Sequence, residues 1–171
     1  MIGAIGVVWG VAGILLLLGS AVYRLSARAA AAMSYDFTWY HWVALGLILV
    51  FMIYGEGYRG FQQRFSPRAA ARAKYLKDHP SLLRSLLAPL FCMGYFHATR
   101  RRKIVSISLT TGIIILILLV HLIHQPWRGI IDVGVVAGLI WGIVSFLIFS
   151  IMAFVSKGFK YSPEVPEEAA G

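Results

Sequence analysis

The sequence predicts an all-α integral membrane protein, with four transmembrane helices and a basic cytoplasmic interfacial helical segment between helices 2 and 3. Three observations carry this. Of the 171 residues, 59% are hydrophobic and the mean hydropathy is +0.76, far more apolar than a soluble domain of this size. Four apolar runs are each long enough to cross a hydrocarbon core about 30 Å thick. Eleven of the sixteen Lys and Arg residues fall between Arg59 and Lys103, with two apolar runs on either side, and such an asymmetry orients a polytopic chain.

The first run, 2–23, has no basic leader, is about twice as long as a signal-peptide core and closes on Tyr23-Arg24 instead of a small-residue cleavage site, so it is expected as a retained span. The second span is expected over 39–58, the third over 104–124 and the fourth over 130–155, within a single polytopic domain of residues 1–160. Between the second and third, Ser66-Pro67 offers an N-cap and a first-turn proline for a helix over 67–77. Its Arg68, Arg72, Lys74 and Lys77 alternate with alanines, which predicts a helix lying on the membrane. A second helix over 81–98 is predicted as interfacial or shallow re-entrant, because its apolar core, Leu86 to Phe96, is too short to span. A crossing there would also put Arg100, Arg101, Arg102 and Lys103 on the wrong side of the membrane. Residues 161–171, with two prolines and three glutamates, are expected as a disordered acidic tail.

The basic segment belongs in the cytoplasm, which places both termini inside a bacterial-type inner membrane. Arg24 and Arg28 run against this bias, whereas Trp39, Tyr40, Trp42 and Trp127 fit an exported-side aromatic belt. Gly3, Gly6, Gly10 and Gly13 form one stripe on the first helix, and Gly134, Gly138 and Gly142 form a ridge on the fourth. Small residues at these spacings let helix backbones approach closely, within the chain or between subunits. A homo-oligomer or a place in a larger membrane complex is therefore an expectation.

A formal net charge of +9 would suggest nucleic acid in a soluble protein, but here no nucleic-acid motif accompanies it and the charges border apolar spans. The single Cys92 excludes an intrachain disulfide. HExxH, Walker A, GxSxG and clustered carboxylates are all missing from the sequence, so catalysis is not expected.

Two groups of residues could carry chemistry. On the exported side, His41, His121, His124 and Asp132 lie near helix ends, and imidazoles with a carboxylate suit a transition metal or, for two histidines on different helices, haem. No cofactor is otherwise implied. The alternatives are that these histidines are interfacial residues and Arg128 pairs with Asp132, or that they sense or relay protons. On the inner side, Glu56 is the deepest acid, with Arg59 one turn on, Tyr54 and Tyr58 as walls, and Gly55, Gly57 and Gly60 leaving room for a ligand. A simple Glu56–Arg59 helix-end pair is the alternative.

Three functions fit. The first is a transporter or channel subunit acting as an oligomer, with Glu56, Arg59, Tyr54 and Tyr58 on the pathway. The second is a membrane-embedded adaptor or accessory subunit that binds anionic phospholipid or an acidic partner through Arg68, Arg72, Lys74, Lys77, Arg100, Arg101, Arg102 and Lys103. The third is a metal- or haem-binding redox protein using the exported-side histidines.

Overall fold

The computed structural model of the protein describes residues 2–156 and 158–166. Among these every regular element is helical, and four helices are long and apolar enough to cross a membrane. Helix α1 runs Ile2–Ala32 and so continues past Tyr23, where the apolar run closes. Alanines at 29–32 sustain the helix, and the connection predicted from Arg24 shortens to residues 33–38. Helix α2, Trp39–Met52, leads without a break into a π-helical segment, Ile53–Phe65, and then into α3, Ser66–Asp78. Two short helices follow, α4 (Leu82–Leu86) and α5 (Ala88–Met93), and then α6 (Arg100–His121) and α7 (Trp127–Val155).

The glycine ridge sets the arrangement. Gly134 lies against Ile48 and Met52, Gly138 against Glu56, and Gly142 against Phe61. Numbers rise together on both sides, so α7 runs parallel to the α2–α3 rod. Gly3 meets the carbonyl of Lys77 while Ala32 meets Gly129, so α1 runs antiparallel to both. Gly6 packs on Ser85, Gly10 on Ala88 and Cys92, and Gly13 on Pro89. Both glycine stripes are thus filled by the chain's own segments.

Four expectations are corrected. The basic helix predicted over 67–77 does not lie on the surface: it extends the second helix, and Ala69, Ala70, Ala73, Leu76 and Arg72 are buried against α1, α5 and α7. Ser66 is no N-cap, since its backbone is helical (φ −59°, ψ −47°) and its N–H reaches Phe61 O, five residues back. Pro67, lacking an N–H, stands where the winding returns from π to α, a position equivalent to a first turn. The helix predicted over 81–98 is instead two pieces, α4 and α5, broken at Leu87 before Pro89. The tail predicted to be disordered is docked over 161–166, since Pro163 and Glu164 carbonyls accept bonds from Arg72 and from the Thr99 N–H and Val165 packs on the core. Its two prolines favour an extended strap that needs no ladder of its own. Residues 167–171 lie outside the described residues.

Helix α6 stands apart. It meets the rest of the chain near its two ends, and its apolar residues from Ile104 to Leu119 are exposed all around.

Candidate functional site

The inner core is organised by one side chain. Arg72 is 1% exposed, and its guanidinium donates from Nε to Phe91 O (2.6 Å), from Nη1 to Pro163 O (2.8 Å) and from Nη2 to Phe96 O (2.9 Å) and His97 O (3.0 Å). The group also lies 4.2 Å over the Phe91 ring centroid. Carbonyl dipoles from the end of α5, the 94–99 loop and the tail strap thereby replace the water a buried charge loses. His97 holds a left-handed φ of 43°, a conformation uncommon outside glycine, and this turn presents the carbonyls of Phe96 and His97 to the same nitrogen. Arg72 is therefore a structural clamp, not a headgroup ligand.

Around it the other cations divide. Arg102 is 7% exposed and folds over Gly94. Glycine is required there, because φ is +87° and an added Cβ would come within 3.0 Å of Arg102 Nε. Lys74 and Lys77 lie over the rings of Phe159 and Phe154 at 5.9 and 5.7 Å. Arg68 pairs with Glu164 at 3.3 Å. Arg100, Arg101 and Lys103, in the first turn of α6, are exposed. Nearby, burial and then the positive field of Arg84, Lys103 and Arg72 lower the His97 pKa and favour a neutral imidazole. Burial pushes the Cys92 thiol up to about 12, against a smaller opposing pull from Arg72, so it serves as a small apolar core group under Gly10.

Glu56 and Arg59 do not pair. A π-helix winds with roughly 4.4 residues per turn, so side chains three apart diverge by about 115° instead of the α-helical 60° or so. Glu56 turns onto α7 beside Gly138, while Arg59 points outward and is exposed. Tyr54 and Tyr58 stack on each other at 5.9 Å on an exposed surface, and Gly57 is filled by Trp141, whose Nε1 donates to Gln62 Oε1 (2.9 Å). Glu56 and the two tyrosines therefore do not wall a common site.

At the opposite end of the bundle His41 is buried and taken up structurally. Its Nδ1 accepts from the Thr38 N–H (3.2 Å) and sits 2.8 Å from Thr38 Oγ1, a capping box in which histidine stands where Glu or Gln is usual. Its ring meets Trp127 edge-on. Thr38-Trp39-Tyr40-His41 carried this signal in the sequence. His121 Nδ1 bonds the carbonyl of Ile117 (2.8 Å) and is exposed, as is His124. Asp132 is 3% exposed and its Oδ2 has no hydrogen-bond partner. Arg128, Arg28 and His121 are near enough to influence Asp132 electrostatically, yet no ion pair with it forms among the described residues. The four metal-ligand candidates are not brought together, and no group of three or more His, Cys, Asp or Glu that could hold a metal occurs among the described residues.

No protein-family model, curated protein or solved structure matches the chain.

Proposed function

We propose that this is an integral protein of the cytoplasmic membrane, both termini inside, that works as a membrane-embedded adaptor or accessory subunit. Its four spans hold a basic inner face against anionic phospholipid headgroups, with an acidic partner as the alternative occupant. One observation carries the reading: Arg59, Arg64, Lys77, Arg100, Arg101 and Lys103 are all exposed toward one end of the bundle and none is in an ion pair among the described residues. Each such cation is worth about 1 kcal/mol beside an anionic surface. Arg24 and Arg28 lie on α1, Arg24 Nε donating to Ser20 O (3.3 Å), and these two opposing cations are outweighed by the eleven between Arg59 and Lys103. Exposed Leu82, Leu83, Leu86, Leu87 and Leu90 on α4 and α5, beside Gly6 to Gly13 of α1, support a shallow re-entrant pair facing lipid.

Native mass spectrometry from nanodiscs of phosphatidylglycerol and phosphatidylcholine tests this. Wild type is expected to retain phosphatidylglycerol preferentially, and the triple variant Arg100→Gln, Arg101→Gln, Lys103→Gln is expected to lose most of that preference. Equal retention by both would reject the reading.

A transporter or channel subunit is the second reading, favoured by Glu56 alone, an acid within an apolar span on an unusually long π-helix. Such windings recur at functional sites. Against it, a groove of about 510 Å³ between α1 and α7 is lined by apolar residues with Ser150 as its one hydroxyl, which offers lipid a surface and an ion no route. Proteoliposomes decide: flux carried by wild type and abolished by Glu56→Gln would establish transport, and equal flux in the two would remove Glu56 from it.

A further inference from the structure

The first turn of α6 is built against the usual rule. A helix N-terminus carries a positive partial charge and favours acids, yet Arg100, Arg101, Arg102 and Lys103 fill this one, there is no acid, and Thr99 at the cap position makes no side-chain bond. A second observation points to a missing anion. Arg102, more than nine-tenths buried, has an Nε without a hydrogen-bond partner, and a buried donor left unmade is costly. Arg68 of α3 lies close enough for its charge to act on Arg102. Between these cations the tail strap places one carboxylate, Glu164, which pairs with Arg68 (3.3 Å) and whose carbonyl accepts the Thr99 N–H (3.1 Å). Glu164 holds this place at a left-handed φ of 51°, a strained geometry for a non-glycine residue.

We propose that Arg68, Arg102 and the first turn of α6 form a binding site for the phosphate of an anionic phospholipid, and that Glu164 is its built-in competitor. This rests on the adaptor reading and names the site within its basic face. The shared chemistry is a phosphate oxyanion, which a forked guanidinium and free helix N–H groups recognise. A lipid is favoured over free phosphate because the turns of α6 that follow the cradle expose apolar side chains, Ile104 and Ile107 on one face and Val105 and Leu109 on the next. An acyl chain attached to a phosphate held there would lie along them. When a lipid binds, the strap loses one exposed ion pair while its Arg72 and Thr99 bonds hold it nearby, so binding and strap release are coupled but not all-or-none.

The test uses the full chain in the same nanodiscs, comparing wild type, Glu164→Gln, Arg68→Gln and Arg102→Gln, with thermal unfolding of each as a folding control. Glu164→Gln should raise phosphatidylglycerol retention about threefold, the scale of one exposed ion pair. Arg68→Gln and Arg102→Gln should lower it by at least that factor. Arg68 is half-buried, so its variant decides if Arg102→Gln fails to fold. No rise with Glu164→Gln overturns the competitor, and no fall with Arg68→Gln overturns the cradle. If only the Arg100, Arg101 and Lys103 triple variant loses lipid, the cradle fails while the adaptor reading stands; if no variant changes retention, both fail. Displacement of the lipid by about 10 mM inorganic phosphate with a phosphate adduct in the spectrum, or by an acidic peptide in place of any lipid preference, would overturn the lipid assignment.

Discussion

Replacing Arg72 with methionine is expected to unfold the end of the bundle built from α3, α5, the 94–99 loop and the tail strap. Methionine matches the stem's length and apolar packing but leaves four main-chain carbonyls, those of Phe91, Phe96, His97 and Pro163, without the donor they share, Phe91 O being fully buried and the others partly so. Hydrogen bonds to a charged group contribute about 1.5–3 kcal/mol each and do not add fully when shared by one side chain, so a loss on the order of 4 kcal/mol is expected. That is a large share of the stability of most domains. Thermal unfolding in detergent reads it, and limited proteolysis should show the 94–99 loop and the tail strap released first. Arg72→Lys should recover less than half, because an ammonium cannot span the four acceptors that the planar fork reaches. By contrast Glu164→Gln, which removes an ion pair whose side chains are 37% and 32% exposed, should cost at most about 1 kcal/mol. If the two substitutions destabilise equally, the strap is held by charge and the clamp reading fails.

That prediction could not have been made from the sequence, and the reason is specific. Arg72 stands in Ala-Ala-Ala-Arg-Ala-Lys, which reads as the solvated face of a basic helix, and alanines give a weak hydrophobic signal even where Ala69, Ala70 and Ala73 are fully buried. The spans were legible because their apolar runs are long and uninterrupted, so their existence does not depend on tertiary context. The Gly-rich Tyr54 to Gly60 stretch was legible as unusual but not as a π-helix. Its looser winding separates Glu56 from Arg59, and spacing rules written for 3.6 residues per turn mislead there. Cap chemistry was within reach at Thr38 and His41, had histidine been allowed in the box. The position of α6, away from the other helices, has no signature in a helix that is apolar all around.

Substituting valine for Gly142 is expected to push α7 off the π-helical segment, a loss of about 1–3 kcal/mol. A Cβ at that position would lie 2.6–2.7 Å from three atoms of the Phe61 ring. The ring cannot swing aside, since Phe65 packs edge-on against it at 5.4 Å and itself touches Phe146. Relief must come from the backbone, and Gly138, one turn earlier, would then lose its contact with Glu56. Because the seam is intrachain, the destabilisation measured by thermal unfolding should not vary with protein concentration. Gly112 supplies the comparison, for nothing lies within 4 Å of the Cβ it would gain. With α6 exposed on all sides at this level, Gly112→Ala should be neutral or stabilising by up to about 1 kcal/mol, since alanine favours the helix. A destabilisation of Gly112→Ala that deepens on dilution would instead mean that α6 packs against a second chain, and the glycine that matters for assembly would be this one, outside both stripes.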